Sequence, residues 1–60
     1  MTPSTQAIVS QFNGLAEKHP KEANAIRLRN HLLAPKVDAE EEVVKSFWLM
    51  MVTELRQTIK

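Results

Sequence analysis

The sequence predicts an all-α fold: a helical hairpin or three-helix unit, with two short helices or one kinked helix folded against one long C-terminal helix. Three observations predict it. Apolar residues recur at helical spacing along most of the chain. A single Gly among 60 residues leaves too little turn chemistry for a multi-strand sheet. Pro20 and Pro35 divide the chain into three segments, about 4–18, 20–34 and 38–59, of one small helical domain.

In the first segment Ile8, Phe12, Leu15 and His19 fall at i, i+4, i+7 and i+11, with Val9 and Ala16 beside them. Gln6, Ser10, Gln11, Asn13, Glu17 and Lys18 take the other side, which makes the helix amphipathic. Gly14 lies on the polar side and weakens the helix by about 1 kcal/mol relative to Ala.

The second segment opens with His19-Pro20-Lys21-Glu22. Proline suits the first helical position, where its missing N–H has no partner to lose. Glu22 suits the positive end of the helix dipole. Pro35 stops the segment, because the residue before a proline is pushed out of the α region. The pattern admits either a break or a kink at Pro20.

The third segment has Asp38 as an expected N-cap, with Glu41 three residues on completing a capping box. Glu40, Glu41 and Glu42 at its start, and Arg56 and Lys60 at its end, complement the dipole. At 1.5 Å per residue the helix is roughly 30 Å long, about the first two laid end to end. Val44, Phe47, Trp48, Met51, Leu55 and Ile59 share its wide apolar face, and Phe47 and Met51 read as core. Leu49 points into the polar side, Met50 and Val43 lie at one edge, and Val52 lies at the other. The middle of the helix is therefore apolar nearly all round. One hairpin partner would not cover it, so Trp48, Leu49, Met50 and Val52 are the expected association surface. Pairing into a homodimeric helical bundle would bury the surplus, and a second protein would do the same.

Charge is segregated. Lys18, Lys21, Arg27, Arg29 and Lys36 precede an acidic run from Asp38 to Glu42, yet the net charge is only +1. Arg27 and His31 share the polar face of the second helix, with Asn24 and Asn30 beside them. Arg29 falls between Ala25, Leu28 and Leu32 on one side and Ile26 and Leu33 on the other. It is expected to lie along that surface, to pair with Glu22 or an acid of the 40–42 cluster, or to anchor an interface. Arg27, Arg29 and His31 are the candidate polar contacts.

The chemistry expected of an enzyme is missing. Without cysteine there is no disulfide, thiolate metal site or thiol nucleophile. His19 and His31 have no carboxylate at ligand spacing, so no metal is expected. Ser4, Ser10 and Ser46 lie in no nucleophile motif, and one Gly cannot build a phosphate loop, so no cofactor is expected. The longest apolar run, Phe47–Val52, is far short of the roughly 20 residues that span a bilayer, and no signal peptide is evident. A cytoplasmic setting is the expectation, with no membrane partner.

The residues carry no motif that names a family. The expected function is non-catalytic protein–protein interaction, as a small regulatory, inhibitory or adaptor protein acting through helix faces, with itself and another protein as partners. One alternative is a small dimeric DNA- or RNA-binding regulator using the basic second helix. The acidic start of the third helix and the low net charge count against nucleic acid. Another alternative is a structural subunit of a larger assembly.

Overall fold

The computed structural model describes residues 1–60 as three packed α-helices and no strand. Helix α1 spans Pro3–Lys18, α2 Pro20–Asn30 and α3 Glu41–Thr58; a 3₁₀ turn, His31–Leu33, extends α2. Each helix touches the other two, and α3 packs most extensively along α1. No helix is long and apolar enough to cross a membrane.

The local chemistry fixes each boundary. Thr2 caps α1: its backbone is extended and its hydroxyl accepts the Thr5 N–H at 3.3 Å. Pro3 takes the first turn, where it forfeits no hydrogen bond. The helix ends at His19, whose φ of −133° and ψ of 63° are not helical. His19 N–H still bonds the Leu15 carbonyl at 2.9 Å, and its own carbonyl accepts the Ala23 N–H at 3.0 Å. One residue thus closes α1 and opens α2, so Pro20 marks a break rather than a kink. Ala34, at ψ 131°, leaves the helical region ahead of Pro35.

Helix α3 starts later than the expected Asp38 cap. Glu40 is the N-cap residue, without a side-chain cap, and its carbonyl accepts the N–H groups of Val43 and Val44. Asp38 lies in a turn closed by Ala39 N–H bonding the Lys36 carbonyl at 3.0 Å. There is no capping box, because the Glu41 carboxylate reaches instead to the Thr2 backbone N–H at the start of α1.

The core comprises Phe12 of α1, Ala23 and Ile26 of α2, and Met51, Val52 and Leu55 of α3. Trp48 stands edge-on to Phe12, with ring centroids 5.6 Å apart, and to Phe47 at 5.8 Å. Such edge-to-face contacts are favoured by the ring quadrupoles. Only 8 of the 60 residues are buried, so this core is small even for its length.

Candidate functional site

Helix α2 presents apolar residues on two opposite sides. At 3.6 residues per turn, Ala23, Ile26 and Asn30 share the inward face, and all three are buried. Ala25 and Leu28 lie on the reverse, and Leu32 follows one turn beyond Leu28 in the 3₁₀ turn. Leu28 is 72% exposed, Leu32 86% and Leu33 65%. Neighbouring large apolar side chains this open form an exposed apolar patch.

Two arginines straddle the outer stripe and pin α2 to its neighbours. The Arg27 guanidinium lies 5.0 Å above the buried Phe12 ring of α1 and donates to the Asn24 side chain at 3.1 Å. On the other flank Arg29 forms an ion pair with Glu54 of α3. The sequence pointed to Glu22 or the 40–42 acids for Arg29; Glu54 takes the place because that flank of α2 faces the C-terminal half of α3. Asn30, expected beside Arg27 on the polar face, is buried. Its amide donates to the Ile26 carbonyl at 3.0 Å and to Glu54 Oε1 at 3.3 Å. His31 is exposed, with Nδ1 2.7 Å from the Leu28 carbonyl.

Beyond the leucines the chain turns back and forms an apolar cleft of ≈ 310 Å³. Pro35 and Val37 of the linker and Val44, Phe47 and Trp48 of α3 line it, together with Lys36 and Glu41. Val37 is fully exposed, and Val43 stands open nearby at the start of α3. The volume lies at the bottom of the roughly 300–1,000 Å³ range of small-molecule sites.

The expected surface on α3 is only partly open. Leu49 is 47% exposed, and Trp48 and Met50 are half-buried. Val52 is 3% exposed and belongs to the core. That is a correction, and its cause is the number of covering helices. A single hairpin partner would leave that flank open, whereas α1 and α2 both pack on α3. The flank carrying Val52 lies under α1, where Arg56 also donates to Gln11 at 3.0 Å. The surplus apolar surface therefore sits mainly on the outside of α2 and in the linker after it. Its signal is present in the sequence as Ala25, Leu28 and Leu32 on one side of Arg29, with Ile26 and Leu33 on the other.

Lys21, Arg27 and Lys36 have no carboxylate within ion-pair distance, and neither Asp38, Glu40 nor Glu42 has a cation. Glu41 is held below its ordinary pKa, first by the hydrogen bond from the Thr2 backbone N–H. No three His, Asp or Glu side chains converge as a metal-binding group. Comparison with protein-family models, curated proteins and solved structures gave no match to this chain.

Proposed function

We propose that this protein is a non-catalytic protein–protein interaction module, of the regulatory, inhibitory or adaptor kind, that binds through a helix face. The observation that carries the reading is the exposure of three large apolar side chains at the end of α2 and in the turn after it, Leu28 and Leu32 on its outer side and Leu33 beside them. Fully burying one leucine side chain contributes about 1.5–3 kcal/mol, so these residues can supply most of a moderate affinity. Trp48, Leu49 and Met50 contribute from the α3 side, and Arg27, Arg29 and His31 form the polar border. The nucleic-acid alternative has less support, since Arg27 is engaged with Phe12 and Asn24, and Arg29 with Glu54.

The test is capture from an extract of the cells that make the protein, using immobilised wild type beside Leu28→Glu/Leu32→Glu. A protein held by the wild type and at least tenfold depleted on the double variant is the expected result. Equal retention on both would remove the leucine stripe from any binding role.

A further inference from the structure

We propose that Asn13 is a site of spontaneous succinimide formation with Gly14, closed while α1 is folded and open when the core lets go. The reaction needs no enzyme. The Gly14 backbone nitrogen attacks the Asn13 side-chain carbonyl carbon, the Cγ–Nδ2 bond breaks, and the amide nitrogen leaves as ammonia with the proton that Gly14 gives up. Water then opens the ring at one of its two carbonyls, which yields an aspartyl or an isoaspartyl residue at position 13.

Three observations single out this residue. The first is its neighbour. The chain has three asparagines and one glycine, and the glycine follows Asn13. Ala25 follows Asn24 and His31 follows Asn30, so in those pairs a β-carbon crowds the attacking nitrogen; glycine has none. The second is a free side chain. Asn13 is exposed and its amide makes no hydrogen bond. The Asn24 side-chain oxygen accepts from Arg27 at 3.1 Å, and Asn30 is buried with its amide donating to the Ile26 carbonyl at 3.0 Å. The third is open space. A Cβ built at Gly14 meets no atom within 4 Å, so packing does not require glycine there and nothing covers the reacting pair.

Folding closes the site through the backbone. Both residues lie inside α1, where the helical ladder carries the Gly14 N–H to the Ser10 carbonyl. Ring closure requires the Asn13 ψ to leave the helical region. The preceding residue, Phe12, is fully buried in the core. Turning Asn13 out of the helix therefore disturbs that core, so the reaction follows opening of the fold rather than fraying of a helix end. Neither product fits back as well. An isoaspartyl residue adds a methylene to the main chain and breaks the ladder. The aspartyl carboxylate falls one turn before Glu17, and like charges at i and i+4 oppose the helix. The chain thereby keeps a chemical record of having opened.

The test is peptide mapping by mass spectrometry of the full chain, aged at near-neutral pH in a series of guanidinium chloride concentrations. Asn13 should convert at least tenfold faster in the unfolded chain than in the folded one, at rates that follow the unfolded fraction read by circular dichroism. In the unfolded chain Asn24 and Asn30 should lag Asn13 at least tenfold, and Gly14→Ala should slow position 13 at least tenfold. After the denaturant is removed, purified isoaspartyl chain should recover less helicity than unmodified chain. Equal rates in the folded and unfolded chains overturn the proposal. So do conversion of Asn24 or Asn30 as fast as Asn13, an unchanged rate in Gly14→Ala, and full recovery of helicity by the isoaspartyl chain.

Discussion

Arg27 and Arg29 show how single side chains decide what a helix leaves open. They stand one position to either side of Leu28, yet one reaches Phe12 on α1 and the other Glu54 on α3. With both flanks held, Leu28 has no direction but outward. Glu41 performs a similar service elsewhere, tying the first turn of α3 to the start of α1. Its depressed pKa carries a sign. The folded state binds this proton less readily than the unfolded chain, so the contribution to stability is complete above the ordinary glutamate range. It is lost as pH falls through the lowered folded value. Glu41→Gln should therefore flatten the acid limb of stability against pH, read as urea midpoints from pH 6 downward. An unchanged acid limb would show that the Thr2 contact contributes nothing.

At the scale of elements, α1 contains an avoidable weakness. Gly14 has ordinary helical geometry, and a Cβ built there meets no atom within 4 Å. Gly14→Ala should raise stability by about 1 kcal/mol, seen as a higher melting temperature; a lower one would mean that the space is needed. The helices themselves were legible because their signals are local: Thr2 and Pro3, Pro20 and Pro35, and the 3.6-residue periodicity of α1 and α3. What escaped the sequence was long-range. Whether Pro20 bent or broke the chain turned on His19, whose conformation depends on where α2 must go. Asp38 has the chemistry of a cap, but the turn at Lys36–Ala39 moved the helix start to Glu40. Val52 looked surplus only because the number of helices lying on α3 is not written in α3. The outer stripe of α2 was visible as a pattern, although periodicity alone does not say which of two apolar sides faces inward.

The whole molecule is a small core with an open side. A domain of this length has roughly 3–9 kcal/mol of stability to draw on, at about 0.05–0.15 kcal/mol per residue. The six apolar residues of the core carry most of it, and Leu28, Leu32 and Leu33 contribute little within one chain. The inner side of α2 holds the fold and its outer side is left open. Urea unfolding of Leu28→Glu/Leu32→Glu beside Val52→Glu, each followed by circular dichroism at a concentration too low for association, separates the two sides. The leucine double variant should unfold with a midpoint close to the wild type, since exposed substitutions usually change stability by no more than about 0.5 kcal/mol each. Val52→Glu should leave no cooperative transition, because it buries an unpaired charge in the core. Collapse of the leucine variant alongside a folded Val52→Glu would contradict the account, since the inner and outer faces would then be the reverse of those described.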